Sequence, residues 1–219
     1  MKKRLPFPIL HEDRDLIVID KPAGLLTASL YAHERDTAER MLEAYVRKGQ
    51  LKSSRRVYLV HRLDRETSGV MMFAKSAEVA GRFRDDWHRL TRKIYLARVE
   101  GVLDGDEGVF ESYLFDDQRL LKVHSVTDPK RGKFARTRWR RLAEANGITQ
   151  VEVTLETGRK NQIRVHFSEA GHPIVGDVKY GARKADRLYL HACSLEFVHP
   201  HTHKWMKVVN LPAWRTEMV

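Results

Sequence analysis

The sequence predicts an α+β protein with a mixed, largely antiparallel sheet and flanking helices. In the first 90 residues, stretches with helical periodicity alternate with short apolar runs that read as buried strands. From residue 93 onward apolar and polar residues alternate, and five glycines between residues 101 and 147 fall where turns are expected. Alternating strands joined by glycine-containing turns are typical of hairpins, so most of the sheet is expected to be antiparallel.

The N-terminal elements alternate between buried strands and amphipathic helices. The predicted strands cover residues 16–19, 57–60 and 70–74, and the predicted helices cover residues 37–48 and 77–90. The first helix should have Asp36 as its N-cap and Gly49 as its stop, and the second should have Ser76 as its N-cap. Residues 61–69 are therefore expected to form a loop mounted between two rigid strands.

The C-terminal elements begin with a strand from residue 93, and residues 149–155 repeat its alternation. A helix is predicted over residues 162–170, where it is ended by the following glycine. Arg159 and Lys160 come just before this helix. Its N-terminus is thus expected to present two positive charges.

The charge balance points to a polyanionic partner. The 219 residues carry 40 Lys and Arg against 29 Asp and Glu, a formal charge of +11 with a pI near 9.8. Basic residues are grouped at residues 47–56, 82–93 and 130–141, which favours a binding surface over a uniformly solvated one. Nucleic acid is the leading candidate, although basic proteins also carry solvated Lys and Arg without binding one.

Cysteine usage and hydropathy indicate the compartment. The single cysteine, Cys193, excludes an intramolecular disulfide and lies in an apolar run, where a buried structural thiol is expected. The N-terminus is basic but lacks the apolar stretch of a signal peptide, and no run approaches transmembrane length. We expect a cytoplasmic protein with no membrane contact. At this length the chain can bury a core as one domain or two small ones.

Two other residue groups invite a ligand and are better explained by structure. His199, His201 and His203 alternate along a short run, but carboxylate or cysteine partners at metal-site spacing are missing. Lys21 with Gly24 could suggest phosphate binding, but no Walker-type glycine spacing accompanies them. We therefore expect no metal site, and a structural turn around Gly24.

The loop at residues 61–69, His-Arg-Leu-Asp-Arg-Glu-Thr-Ser-Gly, contains the strongest candidate for a catalytic group. Asp64 lies between Arg62 and Arg65, which favour its ionised form and could also meet an anionic substrate. An Asp close to an Arg is more often a surface ion pair or a turn cap. The complete nonapeptide is much more specific than the pair.

This nonapeptide resembles the signature motif of the RluA group of pseudouridine synthases, which isomerise uridine to pseudouridine in structured RNA. Three further blocks follow the order of that family. They are Asp-Lys-Pro-Ala-Gly-Leu-Leu-Thr at residues 20–27, Lys-Ile-Tyr-Leu-Ala-Arg-Val-Glu-Gly at residues 93–101, and residues 157–167 with residues 171–177 and Tyr180-Gly181. The resemblance covers the chain from about residue 10 almost to the C-terminus. It implies the pseudouridine synthase fold, one catalytic domain of two halves around an RNA-binding cleft.

The resemblance assigns three catalytic residues. Asp64 would be the carboxylate that either attacks covalently or removes a sugar proton, and the sequence leaves both routes open. Arg164 would pair with that carboxylate and keep it charged, and Tyr95 would stack on the target base. For Arg164 a helix-surface position, and for Tyr95 core packing, are the ordinary alternatives. The reaction changes no redox state and transfers no phosphoryl group, so no cofactor is expected.

The resemblance also implies RNA contacts. Ile163 would line the base pocket, and Arg62 would fill the space that a flipped uridine leaves. Arg159, Lys160 and Gln162 are expected to contact the RNA. Asn161 departs from the family, where His is common, so contacts at this position are expected to differ.

The expected partner is a tRNA or rRNA stem-loop, bound by a monomer. Because the chain starts about ten residues before the first family strand, we expect no small N-terminal RNA-binding domain. One alternative is a noncatalytic RNA-binding or ribosome-assembly factor on the same fold. Another is a hydrolase that uses Asp64 with His61 or His166.

Overall fold

The computed structural model describes residues 5–29, 36–48, 50 and 52–216. It divides the chain into two compact units. The first unit comprises Met1–Arg92 and Ala192–Asn210, and the second comprises Lys93–His191 and Leu211–Val219. Within the described residues, no helix is both long enough and apolar enough to cross a membrane.

The described residues form eleven strands and four α-helices. In chain order the strands are β1 (Ile9–Glu12), β2 (Leu16–Lys21), β3 (Tyr58–Leu59), β4 (Ser68–Ala74), β5 (Thr91–Glu100), β6 (Glu107–Asp117), β7 (Lys122–Val126), β8 (Lys133–Ala145), β9 (Ile148–Leu155), β10 (Leu190–Val198) and β11 (Trp205–Val209). The helices are α1 (Ala38–Val46), α2 (Ala77–Asp85), α3 (Trp87–Leu90) and α4 (Gln162–Glu169). The predicted α+β class with a mixed, mostly antiparallel sheet is confirmed.

The first unit is built on β2 and β4, which pair in antiparallel fashion with Leu16 opposite Ala74 and Lys21 opposite Gly69. Strand β1 pairs with β2, β3 pairs with β4, β10 lies beside β4, and β11 pairs with β10. Apolar side chains of these strands and of α2 form one core. It comprises Leu16, Val18, Val60, Val70, Met72, Ala74, Ala80, Phe83, Leu195 and Phe197.

Helix α1 begins one residue later than predicted. Thr37, not Asp36, is the N-cap, because its side chain accepts a hydrogen bond from the backbone N–H of Arg40. The last helical residue is Val46, and the predicted stop, Gly49, lies outside the described residues. Asp and Thr are both good N-cap residues, so which of these two neighbours caps the helix depends on the local backbone.

The prediction of one continuous helix over residues 77–90 is wrong, because the structure has two helices there. Ser76 caps α2 as expected by accepting from the backbone N–H of Val79, but α2 ends at Asp85. Asp86 has φ −119° and ψ 28°, which are not helical, and the four-residue α3 follows it. The break turns the ring of Trp87 onto His61, with ring centroids 4.8 Å apart. Tertiary packing has thus overridden the helical periodicity of the sequence.

The second unit contains a five-stranded antiparallel sheet with the strand order β5-β9-β8-β6-β7. Residues 95–99 are all buried, so the alternation seen in the sequence of β5 does not mean that one face is solvated. Helix α4 packs on β6, β7 and β8, and its last residue is Glu169, one residue earlier than predicted, with Ala170 as the C-cap before Gly171. Gly171 has φ +83°, the left-handed conformation common after a helix.

Candidate active site

Asp64 lies on the loop between β3 and β4 of the first unit. Its side chain is half-buried, while Leu63 and Thr67 on either side are buried. The backbone N–H of Thr67 donates to the carbonyl oxygen of Asp64 at 3.2 Å, which closes a turn on the C-terminal side of the carboxylate. The loop is therefore anchored immediately before and after Asp64.

Lys21 holds this loop against the turn that follows β2. Its side chain is fully buried, and its Nζ donates to three backbone carbonyls, those of Pro22 at 2.8 Å, Leu25 at 2.8 Å and Arg65 at 3.0 Å. One ammonium group has three N–H donors, and these three acceptors satisfy all of them. Two residues of the turn and the residue after Asp64 are thus joined at a single point.

Gly24 adds a second connection between the turn and the loop. Its backbone N–H donates to the carbonyl of Arg65 at 2.9 Å, and its own carbonyl accepts from Nε of Arg65 at 3.0 Å. Gly24 has φ +82°, so the turn needs a residue that adopts the left-handed region easily. The expected structural turn is therefore also the support of the candidate catalytic loop.

Burial of Lys21 changes its titration. Burial lowers the pKa of Lys21 to about 8, while the nearby carboxylates of Glu66, Asp64 and Asp20 act to raise it. Lys21 thus places a positive charge in the protein interior close to Asp64. The sequence analysis expected a structural turn around Gly24 but missed that Lys21, the last residue of β2, fixes the loop 44 residues later.

Two small residues fix the remaining backbone of the loop. The hydroxyl of Thr27 donates to the carbonyl of Leu63 at 2.8 Å and accepts from the N–H of Leu63 at 3.3 Å. Gly69, the second residue of β4, has φ +118°, and a Cβ at this position would lie 2.3 Å from the carbonyl oxygen of Ala192. Both the conformation and the close approach of the neighbouring strand require glycine here.

His61 and Arg62 occupy different environments on this loop. Nε2 of His61 accepts the backbone N–H of Met72 at 3.0 Å, so this nitrogen does not serve as a base. Arg62 is exposed. An exposed cation beside Asp64 is compatible with the predicted insertion into RNA, which stays a prediction.

In the second unit, Arg164 of α4 forms a bidentate ion pair with Asp177. Nε and one Nη of Arg164 each donate to a carboxylate oxygen of Asp177 at 2.7 Å. The side chains are 10% and 1% exposed, so the pair is desolvated. Arg164 is therefore not the helix-surface arginine of the ordinary interpretation. Its predicted pairing with Asp64 would join the two units and stays a prediction.

Tyr180 supports the same guanidinium from its face. The Tyr180 ring lies 4.9 Å from Cζ of Arg164, a cation–π contact, while Asp177 holds the edge of the guanidinium. The Tyr180 hydroxyl accepts from the amide of Asn161 at 2.9 Å and from the backbone N–H of Val123 at 3.2 Å. Burial raises the pKa of Tyr180, which keeps the phenol neutral. Arg164 is thus fixed in both position and plane.

This network explains the departure at Asn161. Asn161 is the N-cap of α4 with φ 54°, and its side chain makes no capping hydrogen bond. Asn adopts the left-handed region more readily than most residues. Its amide donates instead to Tyr180, so here the residue in place of the usual His belongs to the support of Arg164.

The other predicted residues of the second unit are mostly buried. Tyr95 on β5 is 5% exposed and Ile163 on α4 is 4% exposed. Gln162 is buried, and its amide donates to the carbonyl of Arg136 and to the Thr137 hydroxyl, both at 2.9 Å. Gln162 therefore organises the start of α4, which leaves its predicted RNA contact without support from this geometry.

Arg159 and Lys160 are exposed, as a contact with RNA requires. Nε of Arg159 donates to the carbonyl of Phe134 at 2.9 Å, and Nζ of Lys160 forms an ion pair with Asp116 at 2.8 Å. Only Lys160 has an acidic partner in these contacts. Its charge is therefore partly neutralised, while that of Arg159 is available to a phosphate.

His166 is a structural residue of the second unit. Its Nδ1 lies 2.8 Å from the Thr137 hydroxyl and its Nε2 lies 3.0 Å from the Ser112 hydroxyl. Burial lowers the pKa of His166 to about 4. Since both ring nitrogens are used within the core, His166 does not suit the water-activating base of a hydrolase.

The arginines of β8 are less available to RNA than their grouping predicted. Each lies beside a carboxylate of the same unit. The pairs are Arg136 with Glu111 and Glu156, Arg138 with Glu156, Arg140 with Glu152, and Arg141 with Asp106 and Glu144. These ion pairs offset the charges of the four arginines, so this basic run in the sequence does not create an equally basic surface.

The histidine cluster also has a structural explanation. Nδ1 of His199 accepts the backbone N–H groups of His201 at 3.2 Å and Thr202 at 3.1 Å, which places the ring proton on Nε2. That Nε2 lies 2.9 Å from Oδ2 of Asp13. His199, Asp13 and Asp15 converge within 4.8 Å, but the protonated nitrogen is the one that a metal would need. The group joins two turns of the first unit.

Three supporting residues were not predicted as part of the site. They are Lys21, Asp177 and Tyr180. All three lie within the sequence blocks that carry the resemblance. Only the spacing between Asp177 and Tyr180 hinted at a shared role, because residues three apart in a helical turn face the same side.

The chain is similar to known proteins over most of its length. The family described as RNA pseudouridylate synthase matches residues 15–169. The dual-specificity RNA pseudouridine synthase RluA of Vibrio vulnificus (strain CMCP6) is 35% identical over 216 residues, covering 93% of this chain and 82% of the relative. The uncharacterized RNA pseudouridine synthase YlyB of Bacillus subtilis (strain 168) is 34% identical over 218 residues, covering 96% and 71%.

A third relative and a solved structure extend the comparison. The ribosomal large subunit pseudouridine synthase D of Nitrosomonas europaea is 36% identical over 211 residues, covering 90% of this chain and 60% of the relative. The solved structure of human RNA pseudouridylate synthase domain containing 4 is 25% identical with a TM-score of 0.77, covering 94% of this chain and 89% of that one. The chain therefore belongs to the RNA pseudouridylate synthase family of isomerases.

Proposed function

We propose that the protein converts uridine to pseudouridine in a tRNA or rRNA stem-loop, with Asp64 as the catalytic carboxylate. One relative is named as a dual-specificity RNA pseudouridine synthase, and another is named as a pseudouridine synthase of the large ribosomal subunit. The formal charge of +11 supports an RNA substrate, since phosphate contacts supply most of the affinity for nucleic acid. We further propose a monomer in the cytoplasm, where a single buried thiol such as Cys193 stays reduced.

The observation that carries this proposal is the mounting of Asp64. Lys21, Thr27 and Gly24 hold the backbone on both sides of the carboxylate through hydrogen bonds of 2.8 to 3.3 Å. A group that attacks or deprotonates a bound sugar has to be held within a fraction of an ångström of its target. A loop fixed by buried hydrogen bonds meets that requirement better than a surface turn does.

The proposed chemistry needs only this carboxylate. The bond from N1 of uracil to the sugar C1′ breaks, the base rotates, and C5 forms a bond to C1′. The proton on C5 leaves and N1 gains a proton, so atoms and electrons balance without an oxidant, a metal or a phosphoryl donor. Asp64 either attacks the sugar or removes a sugar proton, and both routes use its ionised form.

We propose supporting roles for residues of the second unit from the resemblance and from their burial. Arg164 pairs with the catalytic carboxylate, and its orientation depends on Asp177 and Tyr180. Tyr95 stacks on the flipped uracil with Ile163 as the apolar wall. A buried aromatic ring and a buried aliphatic side chain suit a base that has left its stack.

The test is an Asp64→Asn variant assayed for tritium release from RNA transcribed with [5-³H]uridine, because C5 loses its hydrogen during isomerisation. Transcripts of tRNA and large-subunit rRNA from the source organism serve as substrates. The variant should lose activity by roughly 10²–10⁴-fold or more, while binding RNA as the parent does. The matched control is Glu66→Gln, which makes the same chemical change two residues along the loop and should retain activity.

Other outcomes distinguish the alternatives. An Asp64→Asn enzyme that turns over like the parent would overturn the assignment of Asp64. A parent that binds these RNAs without releasing tritium would favour the noncatalytic RNA-binding factor. Shortened RNA would favour a hydrolase, since an isomerase leaves RNA length and mass unchanged.

A further inference from the structure

The outward face of β11 exposes a tryptophan, Trp205. Along β11, Met206 and Val208 pack against the core of the first unit, while Trp205, Lys207 and Val209 point to the opposite, exposed face. The Trp205 side chain is 51% exposed. Tryptophan is mostly buried in folded proteins, and it is enriched at surfaces that bind a partner.

Arg92 lies over the exposed indole. Its Cζ is 5.1 Å from the centroid of the Trp205 ring, and its own side chain is 71% exposed. The indole therefore orients the guanidinium through a cation–π contact, while solvent still reaches the guanidinium. Arginine planes and tryptophan rings are the two side-chain surfaces on which unpaired bases stack most readily.

Positive charge surrounds this stack. Lys207 and Arg92 share one acid, Glu196, at 2.9 Å and 4.0 Å, and Lys204 is exposed beside Trp205. Two cations on one carboxylate leave a net positive charge. The four arginines of β8 differ, because they pair with five carboxylates, those of Asp106, Glu111, Glu144, Glu152 and Glu156.

Nearby Arg82 adds to this charge at the turn before β11. It donates to the carbonyl of Pro200 at 2.8 Å and lies 3.1 Å from Nδ1 of His203. Neither partner is an acid. The surface thus combines stacked planar groups with uncompensated cations, a combination that suits single-stranded nucleic acid better than an apolar protein segment.

We propose that Arg92, Lys204, Trp205 and Lys207 form a platform for an unpaired base of RNA, which we call the β11 platform. The base stacks on the guanidinium of Arg92 and the indole of Trp205, and the two lysines contact the flanking phosphates. This inference rests on the proposed RNA substrate and adds a second point of contact to the Asp64 loop. It predicts binding that tolerates different bases, since every base has a π face.

The platform is tested by fluorescence anisotropy with a labelled 12-nucleotide oligouridine. Trp205→Ala should weaken binding by about fivefold or more, whereas Trp205→Phe, which keeps an aromatic ring, should retain most of the affinity. Tyr45→Ala removes another exposed aromatic ring, one that donates to Glu12, and should bind like the parent. Circular dichroism and urea unfolding establish that each variant is folded.

The salt dependence separates stacking from charge. Lys207→Gln should lower the slope of log affinity against log salt by about 0.7, the value for one phosphate contact on a single strand. Trp205→Ala should leave that slope unchanged, because it removes no charge. Equal affinities for the parent and Trp205→Ala, or an unchanged slope for Lys207→Gln, would overturn the platform.

Two further results keep this proposal distinct from the proposed function. A dimer of the parent that Trp205→Ala abolishes in gel filtration, without any effect on oligouridine binding, would assign the face to self-association and overturn the platform. The anisotropy measurement needs no turnover, so the failure of tritium release by the parent would contradict the isomerase and leave the binding result standing on its own.

Discussion

The Asp64 loop in the first unit and the Arg164 network in the second unit are held in opposite ways. Around Asp64, one buried ammonium, that of Lys21, donates to backbone carbonyls, which any sequence would supply. Around Arg164, the guanidinium is held by side chains, those of Asp177 and Tyr180. The loop should therefore depend mainly on Lys21, Thr27 and the glycines at residues 24 and 69, whereas the network should respond to the change of any one member.

The largest effect is expected from Asp177→Ala in the side-chain network. It leaves the buried guanidinium of Arg164 without its carboxylate, which costs about 3–5 kcal/mol in the free energy of unfolding. Urea denaturation measures this loss. Asp116→Ala is the matched control, because its ion pair with Lys160 is exposed and should contribute at most about 1 kcal/mol. Similar losses in both variants would contradict the desolvated pair.

A slightly smaller effect is expected from Lys21→Met in the backbone-held loop. Methionine fills a similar volume but removes the ammonium donor from the partly buried carbonyls of Pro22 and Leu25, while the Arg65 carbonyl keeps the N–H of Gly24. The change should cost about 2–4 kcal/mol. Activity should fall with stability, because the backbone next to Asp64 loses its support. The exposed Lys52→Met is the control for loss of a lysine charge. A stable, active Lys21→Met enzyme would show that Thr27 and Gly24 suffice.

An intermediate effect is expected from the pH dependence of stability, which arises from His166 in the second unit. Burial lowers the pKa of His166 from 6.5, its value in the unfolded chain, to about 4 in the folded protein. Between pH 4 and pH 6.5 the unfolded state therefore binds more protons than the folded state. Stability should therefore fall as the pH drops from 6.5 towards 4, by about 2 kcal/mol at pH 5 relative to pH 7.

The measurement is urea unfolding of the parent and of His166→Gln at pH 7 and pH 5. His166→Gln should lose about 2 kcal/mol less than the parent over this interval. His124→Gln removes another histidine of the same unit and should behave like the parent. An identical pH dependence in the parent and His166→Gln would mean that His166 is protonated without cost in the folded state.

The smallest effect concerns the departure at Asn161. In a double-mutant cycle, Asn161→Ala and Tyr180→Phe should show a coupling energy of about 0.5–1.5 kcal/mol, the net worth of one buried hydrogen bond. Ser168→Ala with Tyr180→Phe is the control cycle, because Ser168 donates to the backbone carbonyl of Tyr180 and should show little coupling. Additive effects in the first cycle would remove Asn161 from the network.

The local patterns of the sequence predicted most elements correctly. Alternation gave the antiparallel strands of the second unit, and Ser76 and Gly171 marked the start of α2 and the end of α4. Where local signals competed, as at Asp36 and Thr37, the sequence could not choose the N-cap. It also could not foresee the break at Asp86, because that break depends on where Trp87 packs.

By itself, the sequence determined the family, the loop that carries Asp64 and the overall positive charge. Only the tertiary structure decided which positive charges have partners inside the protein. Lys21 donates to carbonyls as far as 44 residues away, Arg164 pairs with Asp177, and the arginines of β8 pair with carboxylates of the second unit. The physical reason is that periodicity and capping act over a few residues, whereas the neutralisation of a charge depends on distances of about 3 Å between groups that the fold brings together.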